Sequence, residues 1–185
     1  GNNIAIGKRS GFCLQSGGYN ITLGDHAGKK LSNGQCNILI GQLAGGGSPN
    51  ADNQGCNNVS IGSSAGGSVT TGTCNVHIGY RAGYSITSGS SNVVIGNSVD
   101  VSSATGNAQF VIGTCAGCNL DGTNACHNVL IGACAGKNTI SGADNVFMGV
   151  NAGVGNTTAS GNVYIGKNAG QQTFDGPYSD GGCNI

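Results

Sequence analysis

The stretch Asn75–Ser91 reads Asn-Val-His-Ile-Gly-Tyr-Arg-Ala-Gly-Tyr-Ser-Ile-Thr-Ser-Gly-Ser-Ser. Val76, His77 and Ile78 alternate sides of an extended backbone, so Val76 and Ile78 share one face of a short strand. Gly79 can take positive φ without a Cβ clash, so the chain can turn there, and Gly83 and Gly89 mark a second and a third turn. Ala82 is small enough to pack at a corner, and Ile86 adds one more apolar contact.

The head of this unit, an Asn followed by an aliphatic, any residue, an aliphatic and Gly, recurs along the chain. It starts at Asn3, Asn20, Asn37, Asn58, Asn75, Asn92, Asn128, Asn145 and Asn162, with a degenerate copy at Gln109 and a truncated one at Asn184. Seven of the ten steps are 17 residues. A 17-residue unit with three turns is one coil of a solenoid, and a single coil cannot bury its apolar residues without neighbours. The expected fold is therefore all-β: a parallel β-solenoid of about ten coils, ~48 Å long at ~4.8 Å per rung. It forms one repeat domain over 1–185, read as a segment of a longer fibre. Stacked asparagines at the coil heads are expected to form a hydrogen-bonded amide ladder. Three of the asparagines also read as glycosylation sequons: Asn20, Asn58 and Asn156.

Composition narrows the function. The 185 residues include 37 glycines and only 8% charged residues, with seven cations balancing seven acids, all aspartate. So few dispersed cations speak against nucleic-acid binding. No run approaches the ~18 apolar residues of a membrane-spanning helix, and the opening Gly1-Asn2-Asn3 is unlike a signal peptide, so no membrane insertion is expected. The aspartates form no recurring acid pair, and His26, His77 and His127 fall in three different columns. No catalytic residues and no cofactor are expected, and the chain reads as a non-enzyme.

With Val76 and Ile78 taken as the inward pair, the residue between them should face outward. That column reads Ala5, Thr22, Leu39, Ser60, His77, Val94, Val111, Leu130, Phe147 and Tyr164, mostly apolar. A continuous apolar stripe marks an interface. Leu39, His77, Val94, Val111, Leu130, Phe147 and Tyr164 are thus expected to meet partner copies, with a parallel homotrimer favoured and a dimer left open.

The only two prolines, Pro49 and Pro177, lie in the two longest steps. These insertions are expected to bulge as loops, and Phe174, Pro177 and Tyr178 form a candidate recognition loop. The nine cysteines are Cys13, Cys36, Cys56, Cys74, Cys115, Cys118, Cys126, Cys134 and Cys183. Cys115 and Cys134 share a column, and Cys36, Cys56 and Cys74 cluster ahead of successive ladder positions. Inter-rung disulfides or thiol ladders are both consistent with that spacing. Zinc is the weaker reading of Cys115-Ala116-Gly117-Cys118, because Ala116-Gly117 belongs to the repeat itself.

The segments NVHIGYRAG, NVLIGACAG, NVYIGKNAG, SGSSNVVIG and SGADNVFMGVNAG resemble repeats in the tail fibres of phages and large viruses. They are also similar to the head repeats of trimeric autotransporter adhesins. The resemblance spans nearly the whole chain. It implies a rod-like homotrimer, extracellular, on a cell surface or on a virion, that contacts a host receptor or glycan. A secreted subunit polymerising end to end, and a monomeric ice-binding solenoid, are the alternatives.

Overall fold

Glycine-punctuated triplets of β-branched residues form strands only where neighbours supply the missing hydrogen bonds, and here every coil supplies the next. The computed structural model describes residues 1–46, 52–101, 106–120 and 125–171. Ten strands of three residues stack in chain order as one parallel sheet: β1 Ile4–Ile6, β2 Ile21–Leu23, β3 Ile38–Ile40, β4 Val59–Ile61, β5 Val76–Ile78, β6 Val93–Ile95, β7 Phe110–Ile112, β8 Val129–Ile131, β9 Val146–Met148 and β10 Val163–Ile165. The molecule is a β-solenoid. Repeat positions stack in register, Val76 on Val93 and Val59, Ile78 on Ile95 and Ile61.

The strand bonds continue beyond the strands. The Val76 amide donates to the Asn92 carbonyl at 2.8 Å, and the Gly79 amide donates to the Ile61 carbonyl at 2.8 Å. The glycine ending each strand has φ of 123–141°. A Cβ on Gly132 would lie 2.6 Å from the Gly149 carbonyl oxygen of the next coil, so both dihedral and packing demand glycine. Two further positions per coil are left-handed and are filled by other residues. Arg81 (φ 53°) and Cys74 (φ 58°) are examples, and among the described residues none of the 19 such positions is β-branched. Their amides bond to the preceding coil: Arg81 to the Ser63 carbonyl and Cys74 to the Cys56 carbonyl, both at 3.0 Å.

The structure reverses the expected facing of the strands. The central residue of each strand points inward, and the two flanking aliphatics point out. Leu39, His77, Val94, Val111, Leu130 and Phe147 are buried within their own chain, and Tyr164 packs against the same core. They do not form an outward stripe for a partner. The alanine of the turn (Ala27, Ala44, Ala65, Ala82, Ala116, Ala135, Ala152) and a third inward position complete the core.

In several coils the sizes at the inward positions offset one another. Thr22 is paired with Leu31 and Ser60 with Val69. The larger Phe147 is paired with Asn156, and Leu130 with Thr139. Dense packing couples the two sites in these coils. The coil of His77 instead buries a second large side chain, Ile86. Phe147 and Tyr164 stack across neighbouring coils with ring centroids 5.1 Å apart and an interplanar angle of 16°.

Candidate functional site

Asn75 shows how the coil is closed. Its side-chain Nδ2 donates to the Gly89 carbonyl of its own coil at 2.8 Å and to Oδ1 of Asn58, one coil back, at 3.1 Å. Its Oδ1 accepts the Asn92 backbone amide at 2.9 Å and Asn92 Nδ2 at 3.1 Å. Every hydrogen-bonding valence of the amide is used, in a buried site where an unmet polar group is costly. Asn3, Asn20, Asn37, Asn58, Asn92, Asn128, Asn145 and Asn162 occupy the same column. Asn20, Asn58 and Asn156 are buried, so none of these three sequons presents its amide to a glycosylating enzyme.

Alternation carries the argument outward. Asn75 and His77 lie two residues apart and share the inner face, leaving Val76 and Ile78 outside. Repeated over the ten coils, this gives two outward rows. One runs Ile4, Ile21, Ile38, Val59, Val76, Val93, Phe110, Val129, Val146, Val163. The other runs Ile6, Leu23, Ile40, Ile61, Ile78, Ile95, Ile112, Ile131, Met148, Ile165. None of these twenty side chains carries a charge or a hydroxyl. Each shades its neighbours along the row, so central members are half-buried, while Ile4, Ile6 and Ile165 at the ends of the sheet are 52%, 60% and 68% exposed. A continuous uncharged face of this length is unusual on a soluble surface. Sequence reasoning assigned these residues to the core. The signal that would have placed them was the ladder asparagine, whose burial forces the residue two positions on to face inward as well.

The cysteines follow a different logic. None of the eight described cysteines is in a disulfide, so of the two readings inter-rung disulfides are not formed among them, and Cys183 lies outside the described residues. In-register stacking explains this. Side chains at one column leave the backbone in parallel, about 4.8 Å apart, whereas a disulfide needs converging Cβ atoms about 3.8 Å apart. Cys115 and Cys134 stand in that parallel relation, both in left-handed conformation. Cys36 and Cys74 are separated by the Asn57 rung, and Cys56 stacks with Gln35 and Thr73 instead. Cys118 lies beside Cys115 and donates to the Ser98 carbonyl at 3.6 Å. Burial pushes its thiol up to about 11, with a hydrogen bond to Cys115 adding to the shift, which leaves it a poor nucleophile at neutral pH.

His77 is fully buried between Ser60 and Val94, with Nδ1 3.3 Å from Ser60 Oγ. Burial pushes its imidazole down to about 4, so it is a neutral core residue at neutral pH. His26 lies 2.8 Å from half-buried Asp25, and exposed His127 lies 3.3 Å from Asp144; His26, His127 and Asp144 take left-handed backbone conformations. Among the described residues no three His, Cys, Asp or Glu side chains converge.

Of the first insertion, Asn53 belongs to the solenoid. It bridges Leu31 and donates to the Gly45 carbonyl at 3.1 Å. Phe174, Pro177 and Tyr178 lie outside the described residues. No protein-family model, curated protein or solved structure matches the chain.

Proposed function

We propose that the chain is a non-enzymatic structural rod, a segment of an extracellular, cell-surface or virion fibre that assembles as a homo-oligomer and serves adhesion or host-receptor recognition. The observation that carries the reading is the pairing of a rigid, ladder-closed solenoid with a continuous uncharged face on one side. Such a body resists bending along its axis and offers the same surface at every rung. The tail-fibre and adhesin-head resemblance of the repeat supports the same role. In this reading the Phe174–Tyr178 loop contacts a host receptor or glycan, because loops on a rigid scaffold carry recognition. The ice-binding alternative requires a regular threonine face, and the twenty outward positions contain no threonine.

The test is binding of labelled protein to intact cell surfaces and to a glycan panel. Saturable binding that is lost when Phe174, Pro177 and Tyr178 are replaced by serine, with sedimentation unchanged, is the expected result. Binding that survives the triple substitution would move recognition elsewhere. No binding, with end-to-end filaments in electron micrographs, would favour the polymerising subunit.

A further inference from the structure

We infer that two copies of this chain pair sheet to sheet, each covering the other's two outward aliphatic rows, in a closed two-fold sandwich. The inference rests on the structural-rod reading and names the partner of its exposed face.

The area of the face matches a second copy. Ten rungs at ~4.8 Å and two rows ~7 Å apart, with side-chain margins, give a face of about 43 by 14 Å. That is about 600 Å² per copy and about 1,200 Å² for a pair, the lower bound of specific, stable interfaces. A smaller partner would leave part of the face in water.

The face is complementary to itself. The face repeats one residue pair at one spacing, Val76 with Ile78, then Val93 with Ile95, and onward. A second copy presents the same spacing, so tips of one row can seat between rungs of the other along the whole length. With no charge among the twenty residues, the face neither repels its own copy nor offers an ion pair to a charged partner. The row of strand-ending glycines beside it, Gly62, Gly79, Gly96 and Gly113 among them, raises no side chain against an approaching sheet.

The width of the face favours two copies over three. Packed sheets lie ~10 Å apart, which puts each sheet ~5 Å from the plane between them. Three sheets at that distance from a common axis would enclose a triangle of side ~17 Å. A face about 14 Å across with its side-chain margins falls short of that side and leaves the corners open to water. Two sheets face to face leave no such gap. A two-fold contact is also self-complementary and closes on itself.

Sedimentation equilibrium of the full chain tests this. A mass of two chains, each 18.1 kDa, is expected. Val76→Lys with Ile112→Lys places four cations in the paired interface and should weaken pairing at least a hundredfold, yielding folded monomers. Should the lysines disturb folding, Val76→Ser with Ile112→Ser, checked by circular dichroism, should weaken pairing in the same direction. A dimer that persists in either folded variant would overturn the assignment of the face. A three-chain mass would overturn the two-fold geometry. A wild-type monomer would overturn the pairing while leaving the rod reading to the surface-binding experiment above, whose readout does not depend on mass.

Discussion

Coils 75–91 and 109–127 start from the same plan and end differently. In the first, Asn75 closes its own coil and bonds the coils on both sides. In the second, Gln109 takes the asparagine's place. Its backbone amide still reaches Asn92 Oδ1 at 2.9 Å, and its Nε2 still closes the coil on the Ala125 carbonyl. Its Oε1, however, finds no donor among the described residues, and the ladder below it restarts at Asn128. One extra methylene preserves closure and loses stacking. The amide column is therefore a device of fixed length: it joins coils only when its carbonyl oxygen sits one rung from the next amide.

Substitutions can widen or close that difference. Gly79→Ala should have the largest effect, because its Cβ would enter the Gly96 carbonyl at a φ of 127°. A loss of about 4 kcal/mol in chemical denaturation is expected, combining backbone strain with overpacking. Asn75→Ala comes next. It strands the Gly89 carbonyl and both Asn92 donors, at about 3 kcal/mol. Acidification probes the same coil without mutation. Above pH 6.5 His77 is neutral whether folded or unfolded and its ionisation contributes nothing. As pH falls from about 6.5 to about 4, the unfolded imidazole takes a proton that the buried one refuses, so the folded state loses up to about 3 kcal/mol. Melting curves at pH 7.5 and 4.5 should show this loss in the wild type, and His77→Val should remove the share due to His77. Gln109→Asn is the smallest change and has the opposite sign. A shorter amide that meets Asn128 should raise stability by about 1 kcal/mol.

Much of the fold is legible in the residues themselves. The 17-residue period, the strand triplets, the turns at Gly79 and Gly83 and the asparagine column all follow from local chemistry, and each has a direct counterpart in the structure. The facing of the strands was not legible from alternation, which says that Val76 and Ile78 share a side but not which side is inner. Uniform aliphatics suggest a core, and a column mixing Ser60, His77 and Phe147 suggests a surface. The solenoid inverts that rule: its interior takes Ser60, His77 and Phe147 in one column, while its outer face repeats. The cysteine columns left disulfides and thiol ladders both open. Sequence alignment brings Cys115 and Cys134 to neighbouring rungs, but stacking also makes their Cβ bonds parallel.

Solvent paramagnetic broadening of methyl resonances tests the facing and the pairing together. The methyls of Val94, Val111 and Leu130 should stay sharp in the wild type and in the Val76→Lys, Ile112→Lys variant alike. The methyls of Ile61, Ile78 and Ile95 should be protected in the wild type and broadened in that variant. Broadening of Val94 and Val111 with Ile78 and Ile95 protected in both proteins would contradict the account, because it would turn the strands the other way round.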